Sequence, residues 1–144
     1  MLFLSIEFPS WGDFYTRFKN DPEKSQGEAF ELGRKVGHAL MAKLNLKGSD
    51  LDTLATVVNA FMREVKGELA KVEGNRVVLR NRAFCAIMVS ARSFNIPWLW
   101  LDTNVAWPLM AGLASAVNPN VKHNVTCARA RGDLVCEHIF EIIK

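Results

Sequence analysis

Cys127, Cys136, His123 and His138 fall at alternating positions within residues 120–142, NVKHNVTCARARGDLVCEHIFEI. Side chains along a strand change face at every residue, so this alternation gathers groups on one wall. With Arg131-Gly132 as a two-residue hairpin turn, Ala130 pairs with Asp133, Cys127 lies opposite Cys136, and Val125 lies opposite His138. One face then carries Val121, His123, Val125, Cys127, Leu134, Cys136, His138, Phe140 and Ile142. Opposed thiols can bridge. They can also supply half of a zinc or iron site that imidazole or the third thiol, Cys85, completes. Cysteine is equally at home as a small buried hydrophobe, and a histidine on an apolar face is commonly a satisfied core residue. The metal donors expected from this pattern are Cys85, Cys127, Cys136 and His123, with zinc or iron as the ion.

A second grouping is apolar. Phe84, Met88, Trp98, Trp100, Trp107 and Met110 crowd into one third of the chain, and aromatic and methionine side chains can line a pocket for an apolar ligand. The expected pocket wall is Phe61, Phe84, Met88, Trp98, Trp100 and Trp107, with His138 as a polar contact. Evidence for catalysis is thin. There is no glycine-rich phosphate loop, no serine elbow and no HExxH. Cys85 with a histidine, or Asp102 beside the tryptophans, are the only reactive candidates.

These side chains need a frame. Leu2, Leu4, Ile6 and Phe8 alternate, as in an edge strand or extended arm, and residues 11–18 suit a short helix. Asp21-Pro22-Glu23 is a helix start, and apolar residues then recur at three- and four-residue steps to about Leu44. Gly33 and Gly37 lie one turn apart on that helix, a spacing that suits close packing of another element. Ser49 is placed to cap a second helix carrying Leu51, Leu54, Val58, Phe61 and Val65 and ending at Gly67. Residues 68–72 and 76–79 read as a hairpin. Residues 81–93 suit a buried strand or a helix, which periodicity does not separate. Asn95-Ile96-Pro97 breaks the chain before a helix over about 104–117, with Pro108 in its first turn, and Asn118-Pro119 stops it.

At 144 residues, 49% of them hydrophobic and 23% charged, the chain is sized and composed for one soluble domain. A net charge of +3, from 18 basic and 15 acidic residues, comes with no basic patch, which argues against nucleic acid as a partner. The opening MLFLSIEF is too short for a signal core, and no run is long enough to span a membrane. Three cysteines make a poor disulfide framework, so a reducing cytoplasm is the expected compartment.

The stretch from Ala111 onward, AGLASAVNPNVKHNVTCARARGDLVCEHIFEI, resembles the end of the vinyl-4-reductase-type small-molecule-binding domain. Gly112, Cys127, Gly132, Asp133 and Cys136 stand where that pattern has them. The resemblance implies a fold shared with phenol-responsive regulators, Golgi tethering subunits and haem-based nitric-oxide sensors. It also implies a buried pocket for a hydrophobic molecule, and a homodimer. In the regulators, a zinc ion is held by the two hairpin cysteines, an acid three residues before the first, and an upstream cysteine. Cys127 and Cys136 match; Asn124 replaces the acid, and Cys85 is the nearest upstream thiol. The reading is an α+β domain over residues 1–144, an antiparallel sheet packed against several helices and closed by a C-terminal hairpin. Its expected role is to bind or sense a hydrophobic small molecule in the cytoplasm. The alternative is a cysteine- or metal-dependent hydrolase of a small heterocycle, which requires Cys85 to be accessible and acidic beside a histidine.

Overall fold

A computed structural model describes residues 2–144, with side chains from Leu4 onward. Met1 and the Leu2 side chain, part of the alternation expected at the start, lie outside that set. The backbone there does not form one edge strand or arm. Strands β1 (Leu2–Phe3) and β2 (Ile6–Glu7) pair with each other in a two-stranded hairpin. Leu4 and Ser5 both have positive φ, 51° and 65°, which is the backbone that a two-residue hairpin turn demands.

Helix α1 (Trp11–Phe18) is capped by Ser10, and α2 (Pro22–Lys43) by the Asp21 carboxylate with Pro22 in the first turn. Helix α3 (Leu51–Glu64) starts one residue later than expected. Asp50, not Ser49, is its cap: Asp50 Oδ1 accepts from Thr53 N at 2.9 Å and from Thr53 Oγ1 at 2.6 Å. Strands β3 (Lys71–Glu73) and β4 (Arg76–Asn81) turn through Gly74, whose φ is +64°. The ambiguous segment resolves as helix α4 (Ala86–Phe94).

After Pro97 the chain is helical sooner than expected. Helix α5 (Trp98–Leu101) runs into a π-turn (Asp102–Ala106) and then α6 (Trp107–Val117). Pro108 explains part of this. It has no N–H for the carbonyl four residues back, Asn104, and that carbonyl accepts instead from Ser25 Oγ at 2.7 Å. Gln26 Nε2 holds the Asn104 side chain at 2.8 Å, so α2 supplies what the proline removes. Strands β5 (Val121–Cys127) and β6 (Cys136–Ile142) complete an antiparallel sheet of order β3-β4-β6-β5.

The architecture is therefore α+β, as expected, with helices on the sheet face that carries Val77, Leu79, His138 and Phe140. The core runs from Phe14, Phe18 and Val36 through Leu54, Val58, Leu101 and Leu113 to Val77 and Phe140. On the opposite face Arg80 reaches Glu73 at 2.7 Å and Glu137 at 2.6 Å, and Thr126 Oγ1 reaches Glu137 at 2.6 Å, one polar chain across all four strands. Among the described residues no helix is long and apolar enough to cross a membrane.

The terminal hairpin departs from the expected register. Val125 does face His138, but Cys127 pairs with Glu137, after a bulge between Val125 and Cys127, and not with Cys136. The turn is longer than two residues. Asp133 Oδ2 accepts from Ala128 N at 2.8 Å, and the Ala128 carbonyl accepts from Arg131 N and Asp133 N. This local capping competes with ladder pairing and folds residues 129–131 into a 3₁₀ turn that ends on Gly132 at φ +98°.

Candidate functional site

A cavity of about 250 Å³ opens between α3, α4, the π-turn, α6 and the inner face of the sheet. Its deep wall is apolar and buried: Phe61 and Met62 from α3, Leu79 from β4, Val105 from the π-turn, Leu109 and Met110 from α6. Phe8 and Trp11 close the N-terminal side. Phe84, nearly half exposed, stands at the rim with partly exposed Ile87, Ser90 and Trp107.

Four polar groups interrupt this wall: Asn81, Asp102, Cys136 and His138, with Cys85 beside them. Asn81 is the last residue of β4. Its Oδ1 accepts from Glu68 N at 3.1 Å and its Nδ2 donates to the Phe84 carbonyl at 3.1 Å, which fixes the loop presenting Phe84 and Cys85. Cys85 is the N-cap of α4, and its sulfur accepts from Met88 N at 3.4 Å. A helix N-terminus ordinarily favours thiolate, but burial outweighs it and pushes the Cys85 thiol above its usual range. Burial raises Cys136 too, whose sulfur accepts from Arg129 N at 3.3 Å.

Asp102 begins the π-turn and is only 5% exposed. Its Oδ2 is buried without a hydrogen-bond partner, and desolvation lifts its pKa to about 6 against the pull of Arg131. His138 Nδ1 lies 2.8 Å from His123 Nε2. Burial lowers His138 to about 4 and, with the neighbouring imidazole, His123 to about 3. Both rings are neutral at pH 7.

Of the expected pocket residues, Phe61, Phe84, Trp107 and His138 line the cavity; Met88, Trp98 and Trp100 do not. Trp100 packs edge-on to Tyr15 at 4.8 Å, and Trp98 lies under the Arg129 guanidinium at 5.9 Å. Helical phase explains the split, since neighbouring positions on one helix face different ways. Of the expected metal donors, Cys85 and Cys136 line the cavity, His123 stands behind His138, and Cys127 lies beyond the bulge. Among the described residues no three of His, Cys, Asp and Glu come together as a metal-holding group. Asn81 and Asp102 are the members that the sequence pattern did not place in a pocket. Asp102 had one signal, an acid within an otherwise apolar run of tryptophans and leucines.

No family model matches the chain, and no curated relative matches its sequence. The fold is similar to that of a trafficking protein particle complex subunit 3 from Naegleria fowleri, whose crystal structure has palmitic acid covalently bound. The likeness covers 93% of this chain and 91% of that one, with a TM-score of 0.55 at 14% identity. These findings overturn the vinyl-4-reductase-type assignment drawn from the C-terminal stretch.

Proposed function

We propose that this chain binds an apolar small molecule, an alkyl chain or a small aromatic body, in the cavity between α3, α6 and the sheet. The cavity itself carries the reading. It exceeds the ~150 Å³ void that accepts benzene and falls short of the ~300 Å³ at which pockets for drug-sized ligands begin. A medium-length chain or one to two rings would fill it. Binding would come mainly from burying apolar area against Leu79, Val105, Leu109 and Met110, with few polar contacts to orient the ligand. The trafficking subunit of similar fold has palmitic acid covalently bound, which supports the same reading.

Cysteine-dependent hydrolysis has less support. It needs a thiolate beside an imidazole, whereas burial keeps Cys85 protonated and no hydrogen bond joins it to a histidine among the described residues.

Thermal unfolding with naphthalene and with octanol tests the binding reading. A ligand at one hundred times its dissociation constant stabilises the folded state by about 2.7 kcal/mol. Ala106→Phe, which fills the cavity from its partly exposed wall, should abolish that shift while the protein still melts cooperatively. Absence of any shift with a wide range of apolar probes would overturn the proposal.

A further inference from the structure

We infer that Asp102 is the polar anchor of the cavity, and that the ligand it selects is an apolar body bearing an amine. This rests on the cavity being a ligand site and deepens that reading.

A carboxyl group in an apolar cavity needs a reason. Asp102 is 95% removed from solvent, lines the cavity, and keeps Oδ2 without a partner. Among the described residues no side chain forms an ion pair with it. Among nearby charged groups, Arg129 is engaged elsewhere, donating to the Ala83 carbonyl at 2.7 Å with its guanidinium over Trp98. Cys85 from α4 and Cys136 from β6 are held as neutral thiols, and His138 from β6 is a neutral imidazole at pH 7. Arg131 attracts Asp102 from the 3₁₀ turn without reaching it, its guanidinium lying over Trp107 at 5.5 Å. The charge is therefore left for something that enters the cavity. A buried, unpaired carboxyl destabilises the empty cavity, and a donor that arrives with the ligand removes that cost. An ammonium group answers it best, by charge as well as by hydrogen bond. A carboxylate head would meet like charge instead, so a free fatty acid is disfavoured at this wall. The placement supports the assignment: Asp102 opens a π-turn, an irregularity that often re-aims side chains at functional sites.

The test is calorimetric titration of the full chain with octylamine, octanol and octanoate at pH 7.5 and pH 5. Wild type should bind octylamine at least roughly tenfold more tightly than octanoate, and more tightly than octanol, at pH 7.5. The amine stays protonated throughout, so its affinity should fall about tenfold toward pH 5 as Asp102 takes up a proton. Asp102→Asn and Asp102→Leu should remove both the preference and the pH dependence. If all three compounds bind wild type alike, or if the variants keep the preference, the anchor is refuted and the cavity reading stands. If octanol wins, Asp102 acts as a neutral partner and the amine assignment falls. If none of the three binds, nor naphthalene, the cavity reading fails first. Should both variants fail to fold, a flat pH profile for octylamine on wild type is enough to overturn the inference.

Discussion

His123 and His138 stack with their rings 24° apart and their nearest ring nitrogens at 2.8 Å, a bond that requires at least one neutral imidazole. The pair occupies facing strands, β5 and β6, and Phe140 backs His123 at 4.8 Å. His138 in turn forms part of the cavity wall. The interior of this site therefore contains imidazoles that resist protonation and a carboxyl that resists ionisation. Both follow from the same apolar surroundings acting on groups of opposite charge type.

Stability should fall with acid, but less steeply than the histidines alone dictate. A histidine with a lowered folded pKa contributes stability that is present above about 6.5 and lost as pH falls toward the folded values, about 4 for His138 and about 3 for His123. Asp102 runs the other way. Its raised value means that the folded state is favoured below the unfolded carboxyl pKa and loses that advantage as pH rises through about 6. Near pH 5 the unfolded chain binds two extra imidazole protons and the folded chain one extra carboxyl proton. The net slope is about 1.4 kcal/mol per pH unit. Urea midpoints between pH 7.5 and 4.5 measure it, and Asp102→Asn should roughly double the slope. An unchanged slope in that variant would contradict the placement of Asp102.

Asn81 should be a structural hinge-pin for the cavity rim. Its side chain is buried and bonds residues on both sides, Glu68 N and the Phe84 carbonyl. Asn81→Ala strands both partners and should cost about 2 kcal/mol. Hydrogen exchange in residues 82–86 should quicken more than in β6. Uniform quickening across the protein would show that Asn81 holds the whole sheet and not the rim.

The inner sheet face was legible because strand alternation is a local property: His123, Val125, Cys136, His138 and Phe140 do share it. The partner of Cys127 was not legible, because one aspartate, Asp133, shifts the turn and so the register. Helix α2 announced itself through Asp21-Pro22, and Gly33 with Gly37 pointed to a closely packed neighbour without naming α6. The site proved harder. A cavity wall is drawn from elements far apart in the chain, and whether Trp107 enters it while Trp98 and Trp100 do not depends on helix phase across a π-turn. The vinyl-4-reductase-type resemblance rested on a short C-terminal stretch alone, and no family model matches the chain.

Cys85 should be a slow nucleophile that ligand occupancy slows further. Desolvation raises its thiol, and it lines the cavity near the rim. At pH 7.5, iodoacetamide should label Cys85 at least about tenfold more slowly than an unhindered cysteine, whose pKa is about 8.5. The rate should climb steadily to pH 9.5. Saturating octanol should protect it. Mass spectrometry of the labelled peptide reads each cysteine separately, and rapid labelling at pH 7 would restore the case for a reactive thiol.

Three glycines separate close packing from helix propensity. A methyl group at Gly33 would overlap the Leu109 carbonyl, and one at Gly112 would overlap the Phe30 carbonyl, so each helix of the α2–α6 pair seats its backbone against a glycine of the other. Neither obstacle is a flexible side chain that could swing away; both are main chain inside helices. Gly33→Ala and Gly112→Ala should each cost about 2 kcal/mol or more through overpacking, despite the better helix propensity of alanine. Gly27 lies on the same α2 helix with nothing within 4 Å of an added methyl. There propensity acts alone, and Gly27→Ala should gain about 0.8 kcal/mol. Because Leu109 belongs both to this contact and to the cavity wall, Gly33→Ala should also weaken octanol binding, which Gly27→Ala leaves unchanged. Urea unfolding of the three variants, with octanol titration of each, measures both effects. Equal destabilisation at Gly27 and Gly33 would mean that backbone contact between the two helices does not set their spacing.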